Sequence, residues 1–160
     1  MDQKTQKSFE EFTAVIQDLT AVVADIGKVE DAKARAAAEK HHQLLDGYIQ
    51  REQAQILRLR GLEQHRIQLA ETLGWNSLTF RQILERAPQE QVQILKPLFV
   101  QLEEQLQQMQ QSRKSSEQII QVRLHELQVA IARQEGSSYD NAGNVNLSAP
   151  LHNKMKNTYI

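Results

Sequence analysis

Two long runs of apolar residues at alternating three- and four-residue spacing constrain the fold of this chain most strongly. The first run extends from Phe9 to Ile26, and residues 4–45 around it contain no proline and one glycine. The second run begins at Val92 and, with one polar interruption, continues to Ile131. This spacing places apolar side chains along one side of a helix that packs against other helices. It predicts an all-α protein with long helices.

The amino-acid composition supports the same fold class. The chain of 160 residues contains 23 glutamines but only 6 glycines and 3 prolines, and 5% of its residues are aromatic. Glutamine, like alanine, leucine and lysine, loses little rotamer freedom in a helix, whereas sheets favour β-branched and aromatic residues. We therefore expect an elongated antiparallel bundle of three main helices plus one short helix, with an irregular C-terminal tail.

Breaks in the pattern predict the order of the elements. The expected segments are a first helix of about 40 residues within 4–45, a turn at Asp46-Gly47, a second helix over Tyr48–Leu73, a short helix over Leu78–Glu85 capped by Ser77, and a last helix from Pro88 to about Gln134. Residues 1–135 would form the helical domain, and residues 136–160 a tail that is flexible without a partner. Gly61, inside the second helix, predicts a close approach of another helix.

Polar residues interrupt both apolar runs. Glu30 and Lys33 occupy the positions that continue the first run, and Arg113 and Ser116 occupy equivalent positions in the second. Pro97 lies within the second run and predicts a kink or a new helix start, because proline removes one backbone hydrogen bond.

Several functional classes are disfavoured by the sequence. The formal net charge is −1, and there is no cysteine for disulfides, thiolate metal sites or thiol catalysis. The arginines of the second helix are interleaved with Glu52 and Glu63 and lack aromatic neighbours, so we expect no nucleic-acid binding. The first residues, MDQKTQKSFEEF, contain no apolar signal core, and no segment is apolar enough to span a membrane. We expect a cytoplasmic protein without stable membrane insertion.

No pattern in the chain indicates catalysis or a cofactor. Glu39 and His42 have the spacing of a carboxylate–histidine metal pair in a helical bundle, but no second pair of this kind occurs. Phosphate-binding loops, dinucleotide-binding glycine motifs and G-x-S-x-G nucleophile motifs are also absent. The sequence therefore favours a binding protein over an enzyme.

The end of the last helix carries an apolar stripe that could bind a partner. Its members are Ile119, Ile120, Leu124, Leu127 and Ile131. If the other helices leave it open, this stripe can accept an amphipathic helix from another protein. Alternatively, the first helix covers the stripe, which would then belong to the core.

The segment Gln50–Gly74 resembles the second helix of the FlgN-type flagellar export chaperones. These proteins show an acidic residue, helically spaced leucines, the motif L-E-x-x-R, and a leucine before a closing L-G. The matching residues are Glu52, Leu59, Leu62, Glu63, Arg66, Leu69, Leu73 and Gly74. The tail adds a second similarity: the family often has a Tyr-x-x-x-Gly segment and a basic terminus, here Tyr139–Gly143 with Lys154 and Lys156.

This resemblance implies a cytoplasmic chaperone without catalytic activity. Such proteins bind C-terminal helical segments of hook–filament junction proteins, prevent their premature assembly and deliver them to the export gate. The apolar stripe would be the client-binding site, and the tail residues Tyr139, Leu147 and Leu151 would contact the export gate. A different class remains open, namely a structural coiled-coil adaptor or oligomerising helical protein. A homodimer is compatible with either function.

Overall fold

A computed structural model describes residues 2–135 of the chain, with side chains to residue 133. The elements are α1 (Gln3–Ala38), α2 (His42–Thr72), α3 (Phe80–Arg86) and α4 (Gln89–Glu135). No β-strand occurs in the described residues. The prediction of a helical bundle with three main helices and one short helix is therefore confirmed. The chain forms two units, residues 1–120 and 121–160, and α4 contributes residues to both.

The predicted apolar runs form a large part of the core of the first unit. Every residue of the first run is buried: Phe9, Phe12, Ile16, Leu19, Val23 and Ile26. In α4 the buried members are Leu95, Phe99, Leu102, Leu106 and Met109. Fully burying a side chain of this kind contributes on the order of 1.5–3 kcal/mol. Apolar burial between helices therefore holds this unit together.

The directions of the main helices follow from contacts between distant residues. A tight turn joins α1 to α2, so these helices are antiparallel. Phe12 contacts Phe99, and a Cβ placed on Gly27 would lie 3.6 Å from the Cα of Met109. Because both contact pairs advance in the same direction along the sequence, α1 and α4 run parallel. The first unit thus has up-down-up topology.

An aromatic cluster fixes one end of this unit. The Phe12 ring lies in edge-to-face arrangements with the rings of Trp75 and Phe99, at centroid distances of 5.3 and 6.3 Å. Phe80, the first residue of α3, stacks on Phe99 at 4.1 Å with nearly parallel planes. Rings in edge-to-face and stacked arrangements gain energy beyond their area burial. The cluster thereby attaches the short helix to both α1 and α4.

The ends of α1 and α2 share one backbone arrangement. After α1, the N–H of His41 donates to Ala36 at 2.8 Å and that of Lys40 to Ala37 at 3.2 Å; after α2, Trp75 donates to Ala70 at 2.8 Å and Gly74 to Glu71 at 3.1 Å. These bonds define Schellman motifs, which need a left-handed residue just past the helix. Lys40 at φ 61° and Gly74 at φ 79° hold that position.

Three predicted boundaries are corrected by the structure. The first helix ends at Ala38, and Asp46-Gly47 lies inside α2 rather than at a turn. The short helix begins at Phe80 with Thr79 as its N-cap, because the Thr79 hydroxyl accepts a hydrogen bond from the Gln82 N–H while the Gln82 side chain accepts one from the Thr79 N–H. Helix α4 continues through Pro97, so no new helix starts there.

The second unit is described as far as the end of α4. Its described part, residues 121–135, is helical throughout. The predicted tail, residues 136–160, lies outside the described residues, and the domain boundary after residue 135 stays a prediction.

Candidate functional site

An exposed apolar stripe marks the described part of the second unit. Leu124, Leu127 and Ile131 are 42%, 52% and 43% exposed, and their spacing of three and four residues places them on one face of α4. Scattered single apolar residues on a surface are ordinary, but three successive turns with a large apolar side chain on the same face form a surface for another helix.

The first two predicted stripe residues belong to the other unit. Ile119 and Ile120 are half-buried on α4 within residues 1–120. Their side chains therefore offer less free surface than those of Leu124, Leu127 and Ile131. The role of all five residues in client binding stays a prediction.

A second feature is a layer of polar side chains inside the helical core of the first unit. We call it the polar layer and define it as Glu30 and Lys33 on α1, Glu52 on α2, and Arg113 and Ser116 on α4. Glu30 is 1% exposed, and Ser116 is fully buried. The polar residues that interrupt the two apolar runs therefore meet in one place. A glutamate from α2 joins them there.

Lys33 contacts both acids of the polar layer, but at unequal distances. Its Nζ lies 2.6 Å from Oε2 of Glu52, but 3.4 and 3.5 Å from the two carboxyl oxygens of Glu30. Arg113, the other cation, donates to Glu117 at 3.3 Å. The Ser116 hydroxyl lies near Glu30 but has no hydrogen-bond partner in the described chain. Glu30 is thus the less compensated of the two buried acids.

The surroundings of Glu30 favour its protonated form. Burial raises the pKa of Glu30 to about 7, and hydrogen bonding to Glu52 adds to the rise. The positive charge of Lys33 and the nearby Ser116 hydroxyl act in the opposite direction but are weaker. Burial has this effect because a carboxylate loses the solvation that water provides.

Glu52 shows the opposite behaviour. Burial by itself would raise the pKa of Glu52, but hydrogen bonds with Glu30 and Lys33 and the positive charges of Lys33 and Arg113 outweigh it and lower that pKa. The surroundings therefore shift the pKa values of the two acids in opposite directions and favour a protonated Glu30 beside a charged Glu52.

The residues that carry the family resemblance are mostly structural. Leu59 and Leu69 are buried, and Glu52 belongs to the polar layer. The motif L-E-x-x-R forms an ion pair in which Arg66 contacts both carboxyl oxygens of Glu63, at 2.6 and 2.9 Å. The same guanidinium lies 5.5 Å from the centroid of the Phe80 ring. The motif therefore connects α2 to α3.

The turn between α1 and α2 brings two histidines together at the surface. An open hollow of about 580 Å³ is lined by residues 40–44, which include His41 and His42. The Glu39 carboxylate lies 3.4 Å from Nδ1 of His41 rather than beside His42. In the described chain, no three His, Asp or Glu side chains are grouped as they would be to hold a metal ion.

Sequence reasoning placed no function on the polar layer, although its signal was present. Charged residues at seam positions of two helices predict that polar groups face each other across the core. The sequence did not indicate that Glu52 belongs to this layer. Helix α2 has no continuous apolar run, so a polar residue at a buried position of α2 cannot be recognised from the spacing. The predicted export-gate residues Tyr139, Leu147 and Leu151 lie outside the described residues.

Comparison with protein-family models, with curated proteins and with solved structures finds no match to this chain. Among the described helices, none has a stretch long and apolar enough to cross a membrane.

Proposed function

We propose that this chain is a cytoplasmic flagellar export chaperone of the FlgN type. In this role it binds C-terminal helical segments of hook–filament junction proteins, prevents their premature assembly and delivers them to the export gate. The observation that carries the proposal is the exposed apolar stripe of Leu124, Leu127 and Ile131 on α4. The resemblance of Gln50–Gly74 to the family's second helix is the reason for proposing junction proteins as the clients.

The stripe has the chemistry that such a client requires. An amphipathic helix presents apolar side chains every three or four residues, which is the spacing that the stripe itself shows. Burying each Leu or Ile more fully contributes on the order of 1.5–3 kcal/mol, less the part that is already buried. After the entropy cost of association, three such contacts are consistent with a micromolar complex that can later release its client.

A structural adaptor is the second candidate, and the same stripe favours it. Residues 124, 127 and 131 have the spacing of a coiled-coil seam, so a second copy of the chain could pair with this face. The two functions differ in what occupies the stripe, which is a client helix in one and an identical α4 in the other.

The mass of the protein in solution separates these functions. We expect the purified chain to form a one-to-one complex with a co-expressed junction protein, detected by light scattering after size exclusion. Replacing Leu124, Leu127 and Ile131 together with glutamine should remove this complex, because the client loses its apolar contacts. The replaced side chains are already exposed, so helix content and melting temperature should change little.

A matched control variant carries three glutamines at exposed apolar positions elsewhere, Leu57, Ile94 and Val100. This variant should bind the junction protein as the wild type does. If the stripe variant loses self-association instead, and the wild type never binds a junction protein, the adaptor function replaces the chaperone function.

A further inference from the structure

The polar layer connects all three main helices of the first unit through very few charges. Glu30 and Lys33 come from α1, Glu52 from α2, and Arg113 and Ser116 from α4. Above and below this layer along α1, the buried face is apolar, with Val29 on one side and Ala36 and Ala37 on the other. The layer is therefore a polar junction inside an otherwise apolar helix interface.

Charge compensation in the layer depends on one proton. The short contact of Lys33, 2.6 Å, goes to Glu52, whereas Glu30 receives only the contacts of 3.4 and 3.5 Å. A fully buried carboxylate with such long contacts is costly, while a protonated Glu30 can donate to the Glu52 carboxylate. The Ser116 hydroxyl has no hydrogen-bond partner in the described chain, and it is the weakest of the groups that favour the charged form of Glu30.

We propose that the polar layer is a proton-dependent clasp in which a proton shared by Glu30 and Glu52 holds α1, α2 and α4 together, and loss of that proton loosens the helices at this level. The groups that face Glu30 are Lys33 on its own helix, Glu52 on α2, and Ser116 on α4, with Arg113 of α4 acting through Glu52. When Glu30 ionises, the junction needs water or an outward movement of side chains to solvate the new charge. This device is independent of the proposed chaperone function.

The direction of the pH effect follows from Glu30. Its pKa is raised from 4.5 to about 7 in the folded chain, so its contribution to stability is complete below 4.5 and is lost as the pH rises through about 7. Glu52, whose pKa is lowered, changes stability only when the pH falls below its ordinary range. Between pH 5.5 and 8.5, Glu30 is therefore the one of the two acids whose charge is expected to change.

The first test compares unfolding of the full chain and its Glu30→Gln variant between pH 5.5 and 8.5. The amide of glutamine keeps a hydrogen-bond donor for Glu52 but cannot ionise. We expect the folding equilibrium constant of the wild type, relative to that of Glu30→Gln, to fall by up to tenfold per pH unit as the pH rises from 5.5 to about 7 and to level off above that. The control Glu63→Gln, which affects an acid paired with Arg66 on α2, should keep the wild-type pH dependence.

Hydrogen exchange measures the local opening of the helices. A buried acid that does not hold the helices together would leave this opening unchanged. With rates corrected for intrinsic base catalysis, amides of residues 48–59 should open up to about tenfold more at pH 8 than at pH 6, relative to residues 95–106. Glu30→Gln should remove this difference. Equal pH dependence in the wild type and Glu30→Gln, or uniform protection at both pH values, would overturn the clasp.

A titration of the wild type covers the case in which Glu30→Gln does not fold. Carbon-13 signals of the glutamate carboxyls should include one group with a midpoint near pH 7. The proposal is wrong if every glutamate carboxyl of the folded chain titrates below pH 5.5.

Discussion

Gly27 and Gly61 both lie inside long helices, but only Gly27 faces another helix. A Cβ placed on Gly27 would lie 3.6 Å from the Cα of Met109, an ordinary contact distance, so α4 passes close to Gly27 without requiring a glycine there. At Gly61 nothing lies within 4 Å of the place where a Cβ would be. The predicted close approach at Gly61 is therefore wrong, and of these two glycines Gly27 is the one that lies near another helix.

Replacing Gly61 with alanine should stabilise the protein by about 0.5–1 kcal/mol. Alanine has the higher helix propensity and reduces the freedom of the unfolded chain, and no contact in the folded state opposes it. Chemical denaturation at neutral pH measures the difference. Gly47→Ala, at the other open helical glycine of α2, is the companion variant and should shift stability in the same direction. A loss of stability in both variants would show that these faces are occupied.

Glu30 illustrates what a residue pattern can and cannot reveal. Its seam position indicates burial, and burial indicates that the charge needs a partner. The pattern does not reveal that Lys33 reaches Glu52 more closely than Glu30, because that preference depends on the offset between two helices. Distances of this kind follow from packing rather than from spacing in the sequence.

At the scale of elements, the helix ends show why one boundary was predictable and another was not. Gly74 indicates the end of α2 in the sequence, because glycine adopts the left-handed conformation without steric cost. The equivalent position after α1 is Lys40, which gives no such signal. Gly47, at which a helix break was predicted, lies inside α2. Apolar spacing predicted the helices well, whereas their ends depend on single residues.

A reciprocal pair of substitutions tests this interpretation. Lys40→Gly should raise stability by about 1 kcal/mol, because it removes the cost of a side chain in the left-handed region. Gly74→Ala should lower stability by a similar amount for the same reason. Both changes are measured as shifts in the midpoint of denaturation. Effects of equal sign would contradict a shared role for the two positions.

The short helix α3 was predicted to begin two residues too early. Ser77 is a good N-cap by type, but it lies at φ 58° in the link. Thr79 is the cap instead, because Gln82 stands three residues later and completes the reciprocal pair of bonds. Phe80, the first residue of this helix, stacks on Phe99. Tertiary contact and capping agree here and outweigh the local preference for serine.

For the molecule as a whole, the sequence predicted the class and order of the helices but not which residues of the apolar stripe are exposed. Leu124, Leu127 and Ile131 are exposed in the described part of their unit, whereas Ile119 and Ile120 are half-buried. Periodicity alone cannot separate these two groups, because all five residues belong to the same helical run. Their exposure depends on which other elements are present beside each turn.

Removing residues 137–160 tests the role predicted for the tail. We expect client affinity and melting temperature to remain unchanged, with loss of binding to the export gate, because Tyr139, Leu147 and Leu151 would be the anchors. Binding is measured separately to a junction protein and to the purified gate. The alternative is that Tyr139 packs over the end of the last helix. A truncated chain that melts several degrees lower and still binds the gate would establish that structural role.

The parallel arrangement of α1 and α4 also has a consequence for protein synthesis. Phe12 meets Phe99, so the apolar face of α1 finds its partner only after most of the chain has left the ribosome. At roughly 5–20 residues per second, that face waits several seconds with α2 as its main cover. Nascent chains stalled before residue 95 should therefore bind general chaperones that recognise exposed apolar helices, and chains stalled after α4 has emerged should release them.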